Sequence, residues 1–176
     1  MKKYILPIPF LLLLMLSTKL LFSNTLTLKT PIEDTFVPLE VKIQIDKTFS
    51  INPTERAEAA YKLGLMGPKA QKAVPFLMRM FDDNLTVWCK YNNLGMWTTP
   101  GKEAAKAVEL IGQPAFGYLL LLVNGTHPYI AINSYMERNL RYTLKHITGE
   151  DFGNKFIDWS SVLEKKGAKT SSSETE

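Results

Sequence analysis

The sequence predicts an all-α fold: a short α-solenoid in which helix pairs stack side by side. Three observations carry that expectation. Residues 58–70 read EAAYKLGLMGPKA and residues 103–115 read EAAKAVELIGQPA, one pattern written twice at an offset of 45. Each copy spaces its apolar residues at helical intervals and then breaks at a glycine, Gly67 or Gly112. Cys89 is the single cysteine, so no intrachain disulfide can form and stability must come from packing.

In chain order, residues 1–24 read as a signal peptide. Lys2 and Lys3 form a positive start, Ile5 to Leu16 an apolar run, and Ser17, Ser23 and Thr25 supply small residues for cleavage. Lys19 interrupts the run short of the ~20 apolar residues of a membrane-spanning helix. The expected location is therefore the periplasm or the exterior of a bacterial envelope. An uncleaved N-terminal anchor is the alternative that Pro7 and Pro9 leave open, and only that form would touch the membrane.

The chain holds 21 basic and 17 acidic residues, a net +4. Lys2, Lys3 and Lys19 lie in the leader with no acid beside them, so the remainder stands at +1. A nearly neutral domain gives no electrostatic reason to expect nucleic acid.

Residues 25–50 are expected to be extended. Val37, Leu39, Val41, Ile43 and Ile45 alternate with Pro38, Glu40, Lys42, Gln44 and Asp46, the period of a half-buried strand. Residues 26–29, LTLK, are a candidate partner strand. The alternative is a degenerate helix of an earlier repeat.

The repeat domain is expected over residues 51–163, in units of about 53–83, 101–125 and 128–163. In the first, Asn52 or Thr54 caps a helix and Pro53 sits in its first turn. Ala59, Ala60, Leu63 and Met66 mark its buried face, and Gly67-Pro68 ends it. Val74, Leu77, Met78 and Phe81 form the second stripe, with Pro75 implying a kink or a late start. The second unit repeats Ala104, Ala105, Val108 and Ile111, and its inter-helix turn is shorter. Alanine pairs let two helix backbones approach closely, and a pair that cannot bury its apolar face alone must stack on another. A weaker third copy runs from Pro128 through Tyr129, Ile132, Met136, Leu140, Leu144 and Ile147 to Gly149. Residues 164–176 are small and polar and are expected to be disordered.

Residues 84–101, NLTVWCKYNNLGMWTTPG, connect the first two units and exceed the usual ~2–8 residue helix–helix link. Trp88, Tyr91 and Trp97 in this loop are candidate binding residues, because such side chains dominate binding hot spots. On that reading Trp97→Ala and Tyr91→Ala would weaken partner binding and leave stability nearly unchanged. The competing reading has Trp97 filling a gap in the array. Arg138, Arg141 and Lys145 share one helix face; the two arginines are candidates for meeting an acidic partner.

The stretch RAEAAYKLGLMGPKAQKAVPFLMRMFDDN resembles a HEAT repeat of the short, Ala-rich bacterial kind, also seen in phycobilin-lyase-like repeat proteins, and GKEAAKAVELIGQPAFGYLLLLVNG resembles a second. LKHITGEDFGNKFIDW is similar to the closing segment of exported HEAT proteins, although Val162 and Leu163 stand where a second tryptophan usually follows. The resemblance implies a short right-handed α-solenoid of HEAT-like helix pairs with a C-terminal capping helix, and no catalytic residues. The residues of that segment are themselves expected to close the fold: Phe152 tucks under the last helix, Gly153 turns the chain and Trp159 anchors the terminal helix.

A catalytic site needs a nucleophile, a base and an orienting group, and the chain offers Cys89, His127 and His146 without a nucleophile motif. His127, before Pro128, is a candidate cap of the next helix. No metal-binding spacing is present, and residues 151–153, DFG, lack every other kinase element. The expected function is a non-enzymatic protein-binding scaffold of the cell envelope or exterior, without cofactor, using the concave face and residues 84–101. One alternative is a small-molecule-binding or lyase-like HEAT protein with a pocket near Cys89, Tyr91 and His127. The other is a structural subunit of an envelope assembly.

Overall fold

The computed structural model describes residues 36–91, 94–127, 130, 132–153 and 155–171. The signal segment, residues 26–29, Pro128, Tyr129 and the last five residues lie outside the described residues. The described chain is mostly helical with one small sheet. In order it forms α1 (Leu39–Lys47), α2 (Pro53–Leu65), a 3₁₀ segment (Gly67–Ala73), α3 (Val74–Arg79), β1 (Val87–Tyr91), β2 (Leu94–Thr98), α4 (Pro100–Ile111), a 3₁₀ turn (Gln113–Ala115), α5 (Phe116–Val123), α6 (Ser134–Thr148) and α7 (Phe156–Ser171).

The first correction falls on residues 36–46, expected to be a strand and found as α1. The alternation conceals a helical stripe. Val37, Val41 and Ile45 recur every four residues; Val41 is buried, and the other two pack partly buried on the same core. Leu39 and Ile43 are left exposed on the other side. A period of two contains a period of four, and the helix uses half of it.

The helix starts follow local chemistry. Asn52 Oδ1 accepts from the Thr54 N–H at 3.0 Å, and Thr99 Oγ1 accepts from the Lys102 N–H at 3.1 Å. Both helices carry proline in the first turn, where a missing N–H breaks no bond. The stops follow glycine: Gly67 and Gly149 take φ +57° and +78°, a region that disfavours other side chains. The shortening of the second unit falls at its inter-helix turn, where the 3₁₀ stretch has 3 residues instead of 7.

Two boundaries differ from expectation. The third copy was expected to turn helical at Pro128 with His127 as its cap; α6 begins at Ser134, because Asn133 Oδ1 accepts from the N–H groups of Tyr135 and Met136 at 3.1 and 2.9 Å. The tail was expected to lose order from residue 164; α7 runs to Ser171. Buried Val162 and Leu163 hold it down, and Lys166 Nζ donates to the Thr148 carbonyl at the end of α6.

Packing joins α1 to α2, α2 to α4, and α4 to α6, while α5 packs on α7. Ala59, Ala60, Ala104 and Ala105 are all buried. The tightest approach lies one turn further on. A Cβ on Gly64 would stand 3.0 Å from Ala107 Cα, so glycine sets the α2–α4 spacing. Between α4 and α6, Thr143 Oγ1 donates to the Ala105 carbonyl at 3.2 Å in the buried seam. Gly101 sits where a Cβ would meet the carbonyl oxygens of Met80 and Phe81 and the Asn139 amide, all within 2.9 Å. Its own N–H donates to the Asp83 carbonyl at 2.9 Å. The Asp83 carboxylate also takes Arg56 at 2.7 Å, and Arg56 Nη1 donates to the Ser50 carbonyl at 2.8 Å.

The closing segment behaves as its residues suggest. Asp151 Oδ1 accepts from the Gly153 N–H at 3.0 Å and turns the chain. Phe152 meets the buried Trp159 edge to face, 5.0 Å between ring centres, and Trp159 Nε1 donates to the Gly153 carbonyl.

Candidate functional site

The segment read as a loop, residues 84–101, is a β-hairpin. β1 and β2 run antiparallel, with Trp88 opposite Trp97, Cys89 opposite Met96 and Tyr91 opposite Leu94. In the sequence Asn92 and Asn93, which lie outside the described residues, separate the two strands. Strand alternation then splits the aromatic residues between two faces.

The inward face carries Val87, Cys89 and Tyr91, which pack on Ala57 and Tyr61 of α2. The Tyr91 and Tyr61 rings stack 4.0 Å apart. Tyr91 is only 9% exposed, so it holds the hairpin onto the helices and is unavailable to a partner. That corrects its expected role, and with it the expectation that Tyr91→Ala leaves stability unchanged. Its buried hydroxyl lies beside the Cys89 thiol, a weak partner, and makes no well-formed hydrogen bond among the described residues. Burial first, then the Cys89 thiol and the Glu103 carboxylate, raise the phenol far above its ordinary range.

Cys89 is enclosed in the same cluster. Burial pushes its thiol up; the Tyr91 hydroxyl beside it offsets part of that, and the Glu58 and Glu103 carboxylates add to it. A thiol kept protonated is a poor nucleophile. Burial likewise pulls the His127 imidazole below its ordinary value. Among the described residues no group of His, Cys, Asp and Glu side chains could hold a metal ion.

The outward face carries Trp88 and Trp97, 52% and 65% exposed, with the exposed Lys90 and Gly95 beside them; Leu94 and Met96, opposite Tyr91 and Cys89, belong to the other face. The two indoles meet edge to face at 5.3 Å. Trp88 also lies across Gly95, so the glycine leaves room for the ring. Trp97 therefore fills no gap in the array.

The hairpin's base is tied to α4. Thr98 Oγ1 donates to the buried Glu103 Oε1 at 2.5 Å, and Lys106 Nζ pairs with the same oxygen at 3.1 Å. Sequence reading missed this carboxylate because it sits inside the repeat pattern, where Glu58 and Glu103 occupy equivalent positions.

The cationic stripe on α6 separates into two parts. Lys145 Nζ and Arg141 Nη2 bind the Asp151 carboxylate at 3.0 and 3.2 Å. The Gly153 N–H, then Lys145 and Arg141, hold that carboxyl well below the usual carboxylate range. Arg141 is thus a closing-segment residue, which departs from its expected role. Arg138 is exposed and has no ion-pair partner among the described residues. It lines an open cleft of about 500 Å³ at the hairpin's base, together with Lys102 of α4.

Compared with known proteins, the chain matches no protein-family model, no curated protein and no solved structure.

Proposed function

We propose that the chain is a non-enzymatic scaffold of the cell envelope or exterior that grips another protein through the outward face of its hairpin. On this reading the helices form a short right-handed α-solenoid of HEAT-like pairs. The neighbour order α1, α2, α4, α6 and the Gly64–Ala107 approach support it.

The observation that carries the reading is the exposed tryptophan pair. Trp88 and Trp97 present their rings to solvent on a strand pair whose other face is anchored by Tyr91 and Cys89. A partner that buried such a face would gain about 25 cal/mol per Å² of apolar surface removed from water, from side chains whose order is already set by their neighbours. The protonated, enclosed Cys89 weighs against a lyase-like pocket at that position.

The test uses the full chain with a photo-crosslinking residue in place of Lys90, which shares the outward face with Trp88 and Trp97, expressed in the cell envelope. A discrete adduct is expected at position 90 and not at Glu40 on α1. Trp88→Ala, placed in the same protein, should weaken it. Equal labelling at both positions, or an adduct indifferent to Trp88→Ala, would reject the reading.

A further inference from the structure

The cleft between the start of α4 and the outer side of α6 lies outside the tryptophan face. Lys102 and Arg138 both line it, and no carboxylate does. Neither cation is paired among the described residues. Glu137, next to Arg138, lines the adjoining cleft with Arg141 and Lys145 rather than this one, and Asp82 accepts from Asn133. Asp83 holds Arg56, Glu103 is buried with Thr98 and Lys106, and Asp151 holds Arg141 and Lys145. Glu109 reaches the Tyr142 hydroxyl without lining the cleft.

Two tyrosines, Tyr135 and Tyr142, wall it, while the Phe81 ring is buried in the core beneath. Asn139 is fixed among them by donating to the Phe81 carbonyl at 2.7 Å. The α4 backbone donors nearby are already used, because the Gly101 N–H goes to Asp83 and the Lys102 N–H to Thr99. An incoming anion would therefore be held by side chains. With a volume of about 500 Å³, the cleft falls in the range of small-ligand sites, roughly 300–1,000 Å³.

We infer that this cleft binds an organic carboxylate carrying a flat apolar body, with Lys102 and Arg138 taking the charge and the aromatic walls taking the ring. Two cations in a lining that holds no carboxylate raise the potential of a partly enclosed cleft and draw an acid into it. Arg138 supplies the planar fork that suits a carboxylate, and Lys102 a mobile point charge. The ring meets Tyr135, which is exposed until something covers it. The carboxylate comes either from a free small acid or from the C-terminus of a polypeptide ending in an aromatic residue. Both present the same chemistry.

The experiment follows backbone amide signals of the full chain by NMR while phenylacetate or acetyl-Leu-Phe is added up to about 10 mM, a range that captures millimolar binding. Shifts at Thr86, Thr99, Lys102 and Arg138 are expected with at least one acid. Phenylacetate active alone points to a small-acid ligand, and acetyl-Leu-Phe active alone to a chain terminus. The neutral amide of the active probe should bind at least tenfold more weakly. Lys102→Met with Arg138→Met, both at exposed positions, should lose at least tenfold in affinity while keeping the thermal midpoint. Silence with both acids, equal binding of the amide, or full binding by the double variant would overturn the inference. Trp88→Ala with Trp97→Ala should leave acid binding intact. Loss of binding there would place the acid on the hairpin and overturn it too, whereas failure of the photo-crosslinking test alone would leave it standing.

Discussion

The Trp88 indole lies across Gly95 on the neighbouring strand, so that a Cβ at position 95 would stand 2.1 Å from its Cζ2. Gly95→Ala must therefore displace the ring, which swings into solvent because it is half exposed. The expected result is a thermal midpoint within a few degrees of the parent, a weakened tryptophan–tryptophan exciton signal in circular dichroism, and weaker partner crosslinking at position 90. A parent-like exciton signal would show that the ring does not depend on the glycine.

Tyr91 gives two variants with opposite signs. Tyr91→Phe keeps the stack on Tyr61 and removes a buried hydroxyl that makes no well-formed hydrogen bond among the described residues and has the weak Cys89 thiol beside it, so stability should hold or rise by about 1 kcal/mol. Tyr91→Ala removes the stack and should lower stability by about 3 kcal/mol. Urea midpoints compare them, and a loss in the phenylalanine variant would mean that the hydroxyl is satisfied.

Gly101→Ala places a methyl against two backbone carbonyls and the Asn139 amide. Backbone cannot step aside as a side-chain tip can, so the expected loss is about 2–3 kcal/mol. Gly117→Ala, where nothing lies within 4 Å, is the control and should be neutral or stabilising through helix propensity.

Asp151 sets a pH dependence. Its folded carboxyl is depressed below the unfolded value, so its contribution is fully present above about pH 4 and fades as pH falls through the folded value. Asp151→Asn should thus be less stable than the parent at neutral pH, and the gap should narrow in strong acid. Salt should narrow it as well, since the pair with Lys145 is exposed. A gap constant with pH would assign the role of Asp151 to the Gly153 turn alone.

Much of the helical framework was legible, because repeated Gly67 and Gly112 and the paired alanines state a spacing that only close-packed helices use. The parts that were not legible share a cause: one residue pattern satisfies two periods. Residues 37–45 read as a strand because every second residue is apolar, yet only every fourth is needed. Residues 84–101 read as a loop because they break the helical pattern and exceed the usual helix–helix link. As strands they alternate, sending Tyr91 inward and Trp88 and Trp97 outward. Pairing across the chain decided the rest. Arg141 belongs to Asp151 and Arg138 does not, a distinction that helical spacing cannot make. The Lys102–Arg138 cleft joins residues from two helices and had no contiguous signal.

The hydrogen bond from Gly101 to Asp83 brings the two ends of the hairpin insertion together. The helices meet at that junction whatever the intervening chain does. The hairpin is therefore a replaceable cassette: its outward residues are free to diversify, or to be exchanged for a foreign recognition strand pair. The boundary condition is that something still covers Ala57 and Tyr61.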